Sequence, residues 1–316
     1  MSFATLAAKM ISRRDFLAQS AATTAALLLP TTVYAASGPN LHFPTEPRAR
    51  LAVASYPFRD FIASPGEKSA GKMDLKDFAA HVVSKFNIHH IEPWSAHFSS
   101  LDQSYLEQLR SAVEKAGSSI VNIAVDGEDS PYAADRAERD RAIAFRKKWI
   151  DVAVVVGSPS VRTNITPAKD SKPDLSRLSE SLRSIVDHAS SKNVVVNLEN
   201  DNPDSEDPLF LVKVIDQVNS PWLHALPDFA NTLAHFDEQH AYSGIDQMFA
   251  RAYNICHVKE TEVPDGGKAV HVDLPRTFGY LKQHHYRGYC SIEWDSPGDP
   301  YQGTQTLIDQ ALRYLS

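Results

Sequence analysis

The chain has 316 residues, 43% of them hydrophobic, and a formal net charge of −7. That is enough apolar material for one large core that needs no staples. The acidic balance argues against a nucleic-acid partner, because basic clusters such as Arg146-Lys147-Lys148 sit in a helical pattern as a solvated face and form no stripe. No segment reaches the roughly 18 consecutive apolar residues of a membrane span, so no stable membrane anchor is expected.

Residues 1–35 read as an export signal. Ser12-Arg13-Arg14-Asp15-Phe16-Leu17 precedes a weakly apolar stretch from Ala21 to Leu29, and Val33-Tyr34-Ala35 supplies the small residue of a cleavage site. This is the pattern of twin-arginine export. The expected address is the periplasm or the cell exterior, and the expected partner is the twin-arginine machinery, which carries proteins already folded. Residues 36–48, with Ser37-Gly38-Pro39, Pro44 and Pro47, form a linker or a packed arm.

From residue 49 to 316 strand and helix patterns alternate with no linker to mark a second domain. Leu51 to Tyr56 is the first strand. Met73 to Phe86 is the first helix, with Leu75, Phe78, Ala79, Val82 and Val83 on one face and Asp74 as its cap. His89 to Glu92 is the second strand, and the helix Leu101 to Lys115 closes at Gly117. Ile120 to Val125 and Val161 to Asn164 are strands three and four, followed by helices Ala133 to Val156 and Leu175 to Ser190. Four further strands end at Asn200, Asp228, His257 and Glu293, with helices near Pro208 to Val218, Ile245 to Ala252, Pro275 to His284 and Tyr301 to Leu315. No Gly-rich phosphate turn follows strand one, which disfavours an open doubly wound sheet. Eight strand-helix units predict an α/β fold of the closed (β/α)₈ TIM barrel type.

The barrel gathers all strand ends on one face, and four of them carry metal-competent side chains: Glu199, Asp228, His257 and Glu293. Their intervals of 29, 29 and 36 residues each fit one strand-helix unit. Three carboxylates and one imidazole form a ligand set for one divalent ion, Mn²⁺, Mg²⁺, Co²⁺ or Zn²⁺. The competing reading is a salt-bridged barrel mouth without metal. Glu92, Trp94 and His97 cluster after strand two, where an aromatic face and two polar groups suit a sugar ring; the alternative is a core Trp beside a loop His. Lys259 points inward and either binds an oxyanion or neutralises the acids. Arg59 either meets substrate or caps a loop. Cys256 and Cys290 are expected as buried free thiols facing away from the barrel axis at unequal heights.

These residues carry a resemblance. The chain resembles the xylose isomerase-like barrel superfamily of sugar phosphate isomerases and epimerases, which includes ketose 3-epimerases, hydroxypyruvate isomerase and inosose-processing enzymes. Ser55-Tyr56-Pro57-Phe58-Arg59 is similar to the first-strand ending of exported members, Ile91-Glu92-Pro93-Trp94 to their second-strand glutamate, and Asn197-Leu198-Glu199-Asn200 to their fifth-strand ligand. Asp228-Phe229-Ala230-Asn231, His257-Val258-Lys259 and Tyr286-Arg287-Gly288-Tyr289 through Ile292-Glu293 match the remaining elements. Many epimerases of this kind carry His where Asn231 stands; Asn hydrogen-bonds substrate oxygen but carries no proton near neutral pH. Resemblance to endonuclease IV is poor, since that site needs several more His ligands.

The ligand set and the resemblance together imply a sugar isomerase or epimerase. A divalent ion chelated by vicinal oxygens of a hydroxy-carbonyl acidifies the intervening C–H, and Glu199 and Glu293 on opposite faces of the carbon would move the proton through an enediolate. Loss of a β-oxygen from the same species makes a lyase or dehydratase the alternative. A non-catalytic sugar-binding barrel and a glycoside-processing enzyme complete the set; the first would lack a ligand, and the second has no need of a central His. Export favours a ketose, an oxidised sugar or a keto-glycoside over a sugar phosphate; an oligomer is compatible with the sequence.

Overall fold

The computed structural model describes residues 38–66, 71–263 and 267–316; the export signal expected over residues 1–35 lies outside them. The strands in chain order are β1 (Leu51–Ala54), β2 (His90–Glu92), β3 (Ser119–Ile120), β4 (Ile123–Val125), β5 (Ser160–Thr163), β6 (Val195–Glu199), β7 (Leu223–Leu226) and β8 (Ile255–Val258), then a small antiparallel pair, β9 (Thr261–Glu262) and β10 (Val270–His271), and last β11 (Tyr289–Ile292). Parallel ladders run β3-β2-β1-β11-β8 and β4-β5-β6-β7. Single bridges close the ring, Ala225 to Ala252 and Asp228 to His257 on one side and Trp94 to Ala124 on the other. With β3 and β4 as two halves of one strand, this is the expected eight-stranded parallel barrel.

Eight helices are described: α1 (Leu75–Phe86), α2 (Gln103–Lys115), α3 (Arg136–Val156), α4 (Leu175–Ser191), α5 (Pro208–Val218), α6 (Glu238–Phe249), α7 (Leu274–Gln283) and α8 (Pro300–Leu315). All but α2 are capped by an Asp side chain that accepts a backbone N–H: Asp74, Asp135, Asp174, Asp207, Asp237, Asp273 and Asp299. Each such cap is worth about 1 kcal/mol, so part of the acidic balance is helix-start chemistry rather than site chemistry.

Strand alternation separates two interiors. Leu51, Val53, Cys256 and Val258 face the helices and join the main core, whereas Ala52, Leu226 and Ile255 belong to a small second cluster with Val121. Residues 38–50 pack against the strand starts: Phe43 lies edge-on to Tyr253 and Tyr289, Leu41 N donates to Tyr253 Oη at 3.0 Å, and the Arg50 guanidinium donates to the carbonyls of Tyr286 and Gly288.

The sequence expectations shift at several boundaries. The first strand stops at Ala54, because Pro57 has no N–H and the chain turns into a 3₁₀ segment at Tyr56–Phe58. Met73 bridges to Ile62 before Asp74 caps α1. The third strand breaks at Val121-Asn122, where Asn122 turns in to donate to Glu92 Oε1 at 2.7 Å. Helix α6 starts at Glu238, earlier than Ile245, since its polar first turns hide the apolar period. Cys256 and Cys290 are free and buried, but their heights are equal: the ladder pairs them directly, with sulfurs 3.8 Å apart. Cys256 precedes His257 by one residue and Cys290 precedes Glu293 by three, yet His257 pairs with Ser291, so Glu293 lies two residues further up.

Candidate metal centre

Glu199 closes β6, Asp228 lies two residues past β7, His257 is on β8 and Glu293 follows β11. One donor atom from each converges within 4.8 Å of the others, and all four residues are buried. His257 Nδ1 faces the cluster, 2.7 Å from Glu199 Oε1, 3.2 Å from Glu293 Oε2 and 3.9 Å from Asp228 Oδ2. Its other nitrogen, Nε2, meets both oxygens of Glu92 at 2.9 and 3.0 Å. A ligating imidazole is commonly oriented this way, by a carboxylate behind it.

Asp228 and Glu199 are each held through their second oxygen. Asp228 Oδ1 accepts from the amides of Ala230 and Asn231 at 2.8 and 2.7 Å, which leaves Oδ2 buried with no hydrogen-bond donor. Glu199 Oε2 lies 2.7 Å from Arg162 Nε, an ion pair too misaligned to count as a hydrogen bond, and Arg162 also pairs with Asp126. Lys259 Nζ stands beside the cluster, 3.1 Å from Glu293 Oε2 and 3.5 Å from Asp228 Oδ2, and donates to Asn231 Oδ1 at 2.8 Å. An undonated carboxylate oxygen, two further acids and an imidazole held from behind fit a hard or borderline divalent cation.

The electrostatics follow from this crowding. Burial alone would lower the His257 pKa, but the carboxylates of Glu199, Glu293 and Glu92 override it and hold the ring well above its ordinary value. Lys259 is raised likewise against burial by Asp228 and Glu293. Burial would raise Glu293, yet His257 and Lys259 bring it below the usual carboxylate range. Asp228 is pushed up to about 6, by burial first, with Lys259 opposing and Glu199 and Glu293 adding to the rise. Arg162 stays well above its ordinary value because Glu199 and Asp126 outweigh its burial.

A cavity of about 270 Å³ opens above the cluster, bounded by Glu199, Glu293, Arg162, Asn231 and Lys259, with Trp94 and Tyr56 as aromatic wall and Asp126, Asp201, Glu262 and Asp295 among its acids. Trp94 Nε1 donates to Asp126 Oδ2 at 2.5 Å, which fixes the indole. Glu92, His97 and Arg59 do not line this cavity. Glu92 sits behind His257. His97 is buried, its ring edge-on to Trp94, with Nδ1 2.8 Å from Ser55 Oγ, which itself accepts from Trp94 N. Arg59 lies over the Tyr56 ring at 4.3 Å and pairs with Asp295 at 2.9 Å. Sequence reasoning missed Arg162 and Asp126, although an Arg inside a buried strand is a signal in itself, and Asp126 follows the apolar run Ile123-Ala124-Val125.

Fold and site define a (β/α)₈ barrel with a carboxylate-histidine cluster at the C-terminal ends of its strands. The xylose isomerase-like TIM barrel family matches residues 80–316, and the chain belongs to it. Comparison with curated proteins finds no match. Among solved structures the chain is similar to a D-allulose 3-epimerase from Methylomonas sp. (TM-score 0.66, 15% identity, 87% of this chain and 100% of that one). It is also similar to a 3-keto-D-glucoside 4-epimerase from E. coli (TM-score 0.61, 13% identity, 83% and 98%). A third is a xylose isomerase-like TIM barrel protein from Mycobacterium smegmatis in complex with magnesium (TM-score 0.60, 19% identity, 90% and 100%). At these identities the likeness is one of fold. No helix among the described residues is long and apolar enough to cross a membrane.

Proposed function

We propose that the protein is a metal-dependent sugar isomerase or epimerase that acts by proton transfer on a ketose, an oxidised sugar or a keto-glycoside. The observation that carries this reading is the convergence of Glu199, Asp228, His257 and Glu293 at one point beside a small cavity walled by Trp94. The epimerase activities named for the D-allulose and 3-keto-glucoside enzymes support it. Glu199, Asp228, His257 and Glu293 would hold one divalent ion, which supplies polarisation of a substrate carbonyl and acidification of the neighbouring C–H. Glu199 and Glu293 both line the cavity and remove and return the proton. Arg162 keeps Oε2 of Glu199 paired, while Oε1 faces His257 Nδ1 at 2.7 Å on the cluster side. Asn231 and Lys259 present an amide and an ammonium to substrate oxygens, and Trp94 offers its face to the apolar side of a sugar ring. We assign the protein to the periplasm or exterior through the twin-arginine signal in residues 1–35.

Incubation with a panel of ketoses and keto-glycosides in D₂O tests the mechanism. Deuterium should appear on the carbon next to the carbonyl. Glu199→Gln and Glu293→Gln should retain metal and lose roughly 10²-fold or more in exchange rate, the usual scale for an acid-base group. Exchange at the parent rate in both metal-loaded variants, or none with any sugar, overturns it.

A further inference from the structure

A second cavity, of about 490 Å³, adjoins the first and shares Asp295 with it. At their boundary Arg59, whose guanidinium lies over the Tyr56 ring, pairs with Asp295 at 2.9 Å. Two aromatic residues, Phe61 and Trp294, line the second cavity. Phe61 is 42% exposed, one of three large exposed hydrophobics among the described residues. It is held by its backbone, its N–H donating to Phe58 O at 2.8 Å and its carbonyl accepting from Met73 N at 2.9 Å. Trp294 lies so close to α8 that a Cβ on Gly303 would come within 2.2 Å of its ring. The Phe61 ring lies edge-on to Tyr301, centroids 5.6 Å apart, so both aromatic side chains are packed in advance of any ligand, which is how a binding site limits its ordering cost.

The polar lining selects the ligand's charge. Among the described residues Arg59 is the one cation lining the cavity, and it is paired with Asp295; the other ionisable lining groups, Asp60 and Asp299, are acids. A phosphate or carboxylate would meet net negative potential. A neutral polyol ring would meet aromatic faces for its C–H surface, and Ser296 and carboxylates for its hydroxyls. The first cavity, at about 270 Å³, lies at the small end for ligand pockets.

We propose that the second cavity is a subsite for an uncharged glycosyl unit attached to the sugar that reacts at the metal centre, so that the substrate is a disaccharide or glycoside rather than a free monosaccharide. This rests on the sugar reading above, but its test reads binding, not turnover. The full chain loaded with Mn²⁺ is titrated by calorimetry with matched pairs: D-fructose against lactulose and maltulose, and D-glucose against cellobiose and maltose. At least one disaccharide should bind at least about 10-fold more tightly than its monosaccharide. The ratio should fall toward one in Phe61→Ala, which removes an aromatic face, and in Ser296→Trp, which fills the cavity. The subsite is overturned if no disaccharide exceeds its monosaccharide, if none of the sugars binds, or if the ratio survives in both variants. A chain that shows the preference yet exchanges no carbon-bound hydrogen would retain the subsite and lose the proton-transfer mechanism.

Discussion

Glu92→Gln isolates the orientation of His257 from the ligand set itself. Both oxygens of Glu92 bond Nε2, at 2.9 and 3.0 Å, and Oε1 also accepts from Asn122 Nδ2 at 2.7 Å. Glutamine keeps the shape but has one acceptor. If its oxygen serves Asn122, its NH₂ is turned on the Nε2–H; if it turns round, two amides confront each other. Either way the ring loses a buried anionic partner, and Nδ1 is no longer aimed by a two-point contact. Removing an outer carboxylate behind a ligating His typically weakens metal binding 10- to 100-fold, about 1.4–2.7 kcal/mol. The assay is calorimetric titration of metal-free protein with Mn²⁺, parent against variant, with thermal unfolding of both to confirm folding. A dissociation constant unchanged within about threefold, below the smallest loss expected of such a partner, would show that Nδ1 of His257 is not held for a cation from behind.

Burial pushes Glu206 up to about 8, assisted by Asp201, although the amides of Ile165 and Asn202 favour its ionised form. Its folded pKa exceeds its unfolded one, so the folded state binds the extra proton. Its stabilising contribution is full below about pH 4.5 and is lost as pH rises through about 8, a difference of a few kcal/mol. Urea unfolding at pH 5 and pH 9 should show a smaller loss in Glu206→Gln than in the parent; equal losses refute this. Gly303→Ala puts a methyl within 2.2 Å of the Trp294 ring and should cost about 1–3 kcal/mol of unfolding free energy, which chemical denaturation would detect; parent stability would mean that the indole can move aside. Replacing Arg13 and Arg14 together by Lys should leave uncleaved precursor in the cytoplasm, and normal processing would rule out the twin-arginine route.

The barrel was legible because its local patterns are strong. Apolar runs with the strand period alternate with amphipathic runs, and the helices begin at Asp caps. The convergence of four side chains was legible for the same reason: Glu199, Asp228, His257 and Glu293 each terminate an apolar run, and a barrel brings such termini to one face. Arg162 and Asp126 were harder, since their place in the site depends on which strand lies next to which, and β5 meets β6 only once the ring has closed.

Height along the barrel axis is the property that the period does not encode. Alternation distinguishes inward from outward, but the stagger between neighbouring strands decides which inward residues share a layer. Cys256 and Cys290 illustrate this outside the barrel, level with each other although their distances from His257 and Glu293 differ. Glu92 illustrates it inside. As the last residue of β2 it reads as a rim group, yet its carboxylate lies against Asn122 and the far nitrogen of His257. One residue along a strand is about 3.3 Å. That step places the Glu92 carboxylate behind His257 and outside the cavity, so under the proposed function metal affinity, and not sugar affinity, is the quantity that Glu92→Gln should change.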